Sequence, residues 1–285
     1  MVGFFENKLN IFRAIKFQIM KFTTLYFFLF LIIFAACKTN QLTGNKSYNF
    51  ISNKQLFPMA FDQYDTFLKD HEVITNTRES EQIKTIGKRI AAAAQKYFDY
   101  KGAPDFLKDY AWEYNLVKDE LVNAWWMPGG KIVFYTGILP IAQNADGVAV
   151  IMGHEVAHAL AEHGGQRMSA GLTQQGLGLL LNKTTEKQPE KKRKAILAAY
   201  GVGATVGVML PFSRKHETEA DKIGLELAAI AVYDVSEAPK LWKRMQELGG
   251  PKKPEILSTH PANQTRIDNL TEWGPSAIAL AKKIN

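Results

Sequence analysis

Cysteine is nearly absent from this chain: Cys37 stands alone. No disulfide can therefore form within it, and no cysteine cluster can hold a metal. No tandem repeat is visible, which sets aside solenoids and propellers. The formal net charge of +7 is a mild excess without interleaved aromatic and basic residues, so nucleic-acid binding has no support. The uncharged run Phe22 to Ala36 is shorter than the roughly 20 residues a membrane-crossing helix needs. With 46% hydrophobic and 22% charged residues over 285 positions, the chain is globular in composition and long enough for one core.

The N-terminus does carry a processing signal. Lys21 precedes the Phe22 to Ala36 run, whose length is that of a signal-peptide apolar region. It ends in Phe34-Ala35-Ala36-Cys37, which resembles a bacterial lipobox, with Phe34 where an aliphatic residue is usual. The expected organisation is a signal peptide over 1–37 with lipidation at Cys37, Met20 being an alternative start. A polar, turn-rich tether over 38–55 and a folded domain over 56–285 follow. This places the protein in a bacterial envelope, lipid-anchored and facing the periplasm. Lys38, where aspartate would favour inner-membrane retention, points to the outer membrane.

Periodicity gives a mainly helical α+β reading. Ile83, Ile86, Ile90 and Ala94 repeat at helical spacing, while Trp112, Tyr114 and Leu116 alternate as on a half-buried strand. Residues 123–126, the turn Met127-Pro128-Gly129-Gly130 and residues 131–136 read as strand, turn, strand. A helix is expected from about Asp146 through His163, stopped by Gly164-Gly165. Two apolar arms follow, about Met168 to Leu181 and Ala195 to Leu210. They are expected to form a helical hairpin packed on the protein rather than a membrane segment. The loop joining them ends in Lys191-Lys192-Arg193-Lys194, read as a solvated face, with anionic lipid as the alternative contact. Gly201, Gly203 and Gly207 follow no strand, so they are helix-packing residues and not a dinucleotide loop.

The chemistry concentrates in His154-Glu155-Val156-Ala157-His158. On a helix, His154 and His158 share a face and can reach one ion, and Glu155 sits beside that ion as a base for its water. A catalytic zinc needs a third protein ligand. A histidine six residues beyond His158 would supply it in one class, but Gly164 stands there; His163 falls out of register on a continuous helix and is assigned a structural role. The carboxylate candidate lies in Ser213-Arg214-Lys215-His216-Glu217-Thr218-Glu219-Ala220-Asp221. Glu217 can bind the ion, and Asp221 one turn later can accept a hydrogen bond from the distal nitrogen of a liganding histidine. Glu219 points the other way, and His216 reads as a solvated neighbour.

HEVAH followed by SRKHETEAD resembles the M48 metallopeptidases, close to their Oma1-like and periplasmic lipoprotein branch. The resemblance extends to VNAWWMPGGKIVFYTGIL at 122–139 and STHPANQTRIDNL at 258–270. It implies a zincin-like domain with a small antiparallel sheet beside the metal helix. It also implies one Zn2+ held by His154, His158 and Glu217, with Glu155 as catalytic base and Asp221 behind the ligands. His260 is then a second catalytic candidate, donating to the oxyanion or binding zinc in a latent state, and Arg266 an anchor for its segment. Asn123 and Ala124 would lie on an edge strand that binds extended peptide. The expected function is a zinc endopeptidase of the bacterial envelope acting on misfolded or misassembled proteins. The alternative is a latent chaperone or assembly factor that binds unfolded chains; a non-peptidase zinc hydrolase is disfavoured by the peptide-binding hairpin.

Overall fold

The computed structural model describes residues 37–40, 42–248, 256–261 and 263–285. The expected signal peptide up to residue 36 and the loop at 251–254 lie outside the described residues. Strands β1 (Cys37–Thr39) and β2 (Lys46–Tyr48) form a small antiparallel pair. Helix α1 (Asn53–Asp70), strand β3 (Val73–Ile74) and helix α2 (Arg78–Tyr100) lead to strands β4 (Glu113–Val117), β5 (Ala124–Met127) and β6 (Lys131–Tyr135). Then come α3 (Ala145–Leu160), α4 (His163–Thr184), α5 (Glu190–Ala204), α6 (Leu210–Ile230), α7 (Glu237–Glu247) and α8 (Gln264–Ile284).

Local chemistry explains these elements. Thr77 and Ser80 form a reciprocal capping box at the start of α2, and Glu79 and Glu81 in its first turn suit the positive end of the helix dipole. Its Ile83, Ile86, Ile90 and Ala94 are buried, as the periodicity predicts. Asn144 caps α3 by accepting from the Gly147 amide at 2.8 Å. From Gly147 to Leu160 every residue of α3 is buried, so this helix runs through the core with no solvent face. The turn between β5 and β6 depends on Gly129 and Gly130, at φ +85° and +94°, a region in which only glycine is unstrained.

The four-stranded sheet runs β3-β4-β6-β5. It is mixed rather than wholly antiparallel. The β5–β6 hairpin docks with β6 in the middle, parallel to β4, which leaves β5 on the edge. The loop from β4 carries the chain past the place that β6 will take, so the hairpin returns inward.

Three expectations are corrected. First, residues 38–55 are not a free tether. Leu42 lies in the main core, Asn40 and Asn49 are buried, and Lys38 and Asn53 donate to the Glu162 carboxylate at 3.0 and 3.1 Å. Second, the metal helix does not continue through His163. It ends at Leu160, Glu162 turns back at φ 57°, and α4 restarts at His163. Gly164 and Gly165 are not a stop signal but contact points inside α4, where an added Cβ would meet Pro128 and Trp126 or Asn49. Third, the apolar hairpin of α4 and α5 does not pack on the body: α5 has no buried residue, and α4 is buried only at its start, at His163, Gly165, Gln166 and Ser169.

Helices α3 and α6 pack tightly against each other, and glycines make this possible. A Cβ on Gly153 would stand 2.5 Å from the Gly224 carbonyl oxygen, and one on Gly224 would stand 2.7 Å from the His154 amide nitrogen. Gly224→Ala should therefore destabilise the protein by about 1–3 kcal/mol, the usual range for overpacking. Gly274→Ala, in α8 with open space around its Cβ position, should be neutral or raise stability by about 0.5–1 kcal/mol. Urea unfolding of the two variants measures both.

Candidate metal centre

Helix α3 carries His154, Glu155 and His158, and α6 carries Glu217 and Asp221; all five are buried. The segment before α8 adds buried His260, and the first turn of α8 adds Arg266. One ligand atom from each of His154, His158, Glu217 and His260 falls within 4.8 Å of the others. His154 Nε2 is 3.1 Å from His158 Nε2 and 3.4 Å from Glu217 Oε2, and His158 Nε2 is 3.4 Å from Glu217 Oε1. His260 Nδ1 stands 3.1 Å from His154 Nε2 and 2.6 Å from Glu217 Oε2. Four donors around a tetrahedral zinc, each 2.0–2.2 Å from it, would be about 3.3 Å apart. The side chains thus fit the ion that the sequence implies.

Asp221 and Arg266 stand behind this cluster. Asp221 Oδ1 is 3.0 Å from His154 Nδ1, the nitrogen remote from the cluster, and accepts from Arg266 Nη2 at 2.6 Å. The Arg266 guanidinium also lies over the Trp242 ring, 3.3 Å from its centroid. Burial alone would raise the Asp221 carboxyl, but Arg266 and His154 hold it below its usual range. Burial and Arg266 pull the His154 imidazolium down, yet hydrogen bonds to Asp221 and Glu217 outweigh them and set it at about 9. Burial likewise opposes ionisation of Glu217, and the three histidines around it keep it ionised, well below the ordinary glutamate value.

Glu155 differs from every neighbour. It is fully buried, and neither of its carboxylate oxygens has a hydrogen-bond partner. Burial raises its pKa, with His260 and His154 opposing. His260 Nε2 stands 3.8 Å from its Oε1, and a buried carboxyl without a hydrogen bond is costly and marks a place where a further group belongs.

A second chain of contacts was missed by sequence reasoning. His158 Nδ1 is 2.8 Å from His163 Nδ1, and His163 Nε2 is 3.0 Å from Glu219 Oε2. Because Glu162 reverses the backbone, His163 turns back toward the metal helix instead of away from it. His216 is buried rather than solvated: its ring stacks on His163 at 3.9 Å and its Nε2 meets Gln166 Oε1 at 3.0 Å. Trp126 from β5 stacks on His158, with ring centroids 5.6 Å apart and planes within 8°. The signal in the sequence was present, His163 and Glu219 each lying near a motif, but only the turn at Glu162 brings them together.

Ala124 lies on the edge strand and pairs with Phe134, and β5 runs beside the metal helix. Asn123 precedes β5; its carbonyl accepts from the Tyr135 amide, while its buried side-chain oxygen has no partner. Lysine clusters, by contrast, are absent from the buried residues of the centre.

Three imidazoles and a carboxylate converging on one point, with a glutamate free of hydrogen bonds alongside, define the class: a metallohydrolase-type centre built mainly on two crossed helices. The profile of Peptidase family M48 matches residues 77–274, so the chain belongs to that family. Relatives include the mitochondrial metalloendopeptidase OMA1 of Saccharomyces cerevisiae, 35% identical over 204 residues, 69% of this chain and 56% of the relative. The OMA1 of Danio rerio is 29% identical over 272 residues, 92% of this chain and 55% of the relative. The beta-barrel assembly-enhancing protease of Escherichia coli is 29% identical over 160 residues, 53% of this chain and 32% of the relative. The chain spans about half the length of the OMA1 relatives and a third of the bacterial one.

If Asp221 fixes the ring of a metal-binding His154, Asp221→Asn should weaken zinc binding by about 10–100-fold, the usual effect of losing such a partner. Competition against a chromophoric chelator measures it.

Proposed function

We propose that this protein is a zinc endopeptidase that cleaves misfolded or misassembled proteins of a bacterial envelope. The observation that carries the reading is Glu155: a buried carboxylate with no hydrogen bond on either oxygen, beside a cluster of four metal-competent side chains. Family membership supports it, as do relatives named metalloendopeptidase and beta-barrel assembly-enhancing protease.

His154, His158 and Glu217 would hold the zinc, which when bound supplies a Lewis acid that acidifies water and polarises a carbonyl. Glu155 would take the proton of the attacking water on a carboxylate oxygen and deliver it to the leaving amine. Its raised pKa suits both halves of that transfer, because a weakly acidic carboxyl is a stronger base. Asp221, bound by Arg266, would keep Nδ1 of His154 protonated and its Nε2 free to bind metal. An extended substrate would add to the edge of β5, whose backbone polar groups on that side have no strand neighbour among the described residues. The lipobox-like Cys37 and the apolar run before it support an envelope location, with the outer membrane favoured by Lys38.

A latent, slowly cleaving binder of unfolded chains is favoured by one observation. His260 Nδ1 lies among the ligand atoms, where it would fill the open position that a catalytic zinc needs. In an active state the same side chain would swing to donate to the oxyanion.

Zinc content and casein cleavage of the purified protein test this reading. Glu155→Gln should keep stoichiometric zinc and lose cleavage by about 10²–10⁴-fold, the range for a general base, whereas Glu217→Ala should lose both. Casein cut no faster by wild type than by Glu155→Gln would overturn the protease reading, and retained zinc in Glu217→Ala would overturn the ligand set. His260→Ala that cleaves faster than wild type marks His260 as a closing ligand; slower cleavage marks it as a donor.

A further inference from the structure

The α4–α5 hairpin is built unlike the rest of the protein. Helix α5, the following π-helical turn Thr205–Met209 and α6 run as one helix from Glu190 to Ile230, long and apolar enough to cross a bilayer. The π turn stands just ahead of Pro211, whose missing amide cannot complete the regular ladder. Apolar side chains point outward on both limbs: Leu172, Leu177 and Leu179 on α4, and Val202, Val206 and Val208 on the opposite limb. Leu179 is 71% and Val202 65% exposed, and with their neighbours they make a contiguous apolar surface rather than scattered single residues.

Charge brackets these limbs at both ends. Met168 to Asn182 and Ala195 to Ser213 contain no charged residue. At 1.5 Å per residue these stretches extend about 22 and 28 Å, against a hydrocarbon core of about 30 Å. At the tip stand Lys183, Lys187, Lys191, Lys192, Arg193 and Lys194 with Glu186 and Glu190. At the root stand Arg167, Arg214 and Lys215. Long basic side chains at both borders reach a headgroup layer from a slightly short apolar span.

Polar groups within the limbs are largely satisfied internally. The Tyr200 hydroxyl donates to the Gln174 carbonyl at 2.7 Å, Thr173 to the Ser169 carbonyl at 2.9 Å, and Arg193 Nη2 to Asn182 Oδ1 at 2.6 Å. The side chains of Gln174 and Gln175 are uncharged interruptions of a kind that membrane helices accommodate. At the root, β2 packs on α4, and Tyr48 bonds Thr173 at 2.7 Å.

We infer that the α4–α5 hairpin inserts into a lipid bilayer, its apolar limbs in the hydrocarbon and its basic tip and root at the two anionic headgroup layers. The metal centre then sits at the membrane surface. Arg214 precedes Glu217 by less than one helical turn, and Arg167 Nη2 is 3.5 Å from Glu217 Oε1. Both limbs lead directly into the site.

The test uses the full chain with Cys37→Ser, so that single cysteines can be placed at Leu177, at Val206 and, as a control on the body, at exposed Lys243. Each is labelled with an environment-sensitive nitrobenzoxadiazole dye and reconstituted into vesicles of phosphatidylethanolamine and phosphatidylglycerol. The N-terminal run is common to all three and cannot create a difference among them. Labels at 177 and 206 should be blue-shifted and several-fold brighter than at 243, and quenched more by doxyl groups at mid-chain than near the headgroup. Hairpin labels as wet and unquenched as the control overturn the inference. Dry labels that doxyl lipids fail to quench overturn it too, because a second copy of the chain then covers the hairpin. Lys191, Lys192 and Lys194 changed together to Gln should weaken the phosphatidylglycerol dependence of the signal at 177; an unchanged dependence overturns the headgroup assignment.

Discussion

The backbone contact of α3 with α6 at Gly153 and Gly224 is the constraint on which the rest of the site depends. With any larger residue the two helices would separate, because the space for a Cβ is already taken by the other helix's backbone. Glu217, Asp221 and Gly224 fall at i, i+4 and i+7, one face of α6, so the face that makes the crossing also delivers the carboxylates. On α3, Gly153 is followed directly by His154, with His158 one turn on. His154, His158 and Glu217 are therefore brought together by helix packing rather than by loops, which makes that part of the cluster rigid.

Such a site places several ionisable groups where water cannot reach them. The arrangement works because each buried carboxylate there faces a cation or an imidazole: Asp221 has Arg266 and His154, Glu217 has three histidines, and Glu155 has His260 Nε2 at 3.8 Å. Arg266 is in turn held over Trp242, so the positive charge behind the cluster is itself positioned. Glu155 is the carboxylate of this group that makes no hydrogen bond on either oxygen. The His158–His163–Glu219 contacts do for the second histidine what Asp221 does for the first. Both imidazoles thus have their outer nitrogens engaged.

Between the two halves of the centre the chain makes a long excursion through α4 and α5. The excursion leaves the body beside His163 and returns just ahead of Glu217, so whatever surrounds the hairpin acts on both halves at once. Residues 37–55 reinforce the same junction. Lys38, Asn49 and Asn53 converge on Glu162, the residue whose reversed backbone separates the metal helix from the hairpin.

That His154 and His158 share one helix face, and Glu217 and Asp221 another, was legible in the sequence, because helical spacing states which side chains lie together. The strands and the helix carrying Ile83, Ile86 and Ile90 were legible for the same reason. Periodicity does not state what a face meets. It could not show that residues 38–55 dock on Glu162, that the backbone reverses there and returns His163 to the metal helix, or that β6 enters the sheet parallel to β4. Nor could it show that the apolar arms stand clear of the body, since an apolar helix reads alike whether protein or lipid surrounds it. The sequence by itself determined the donor groups and their local geometry; the tertiary structure alone decided which donors meet, because that depends on contacts between segments far apart in the chain.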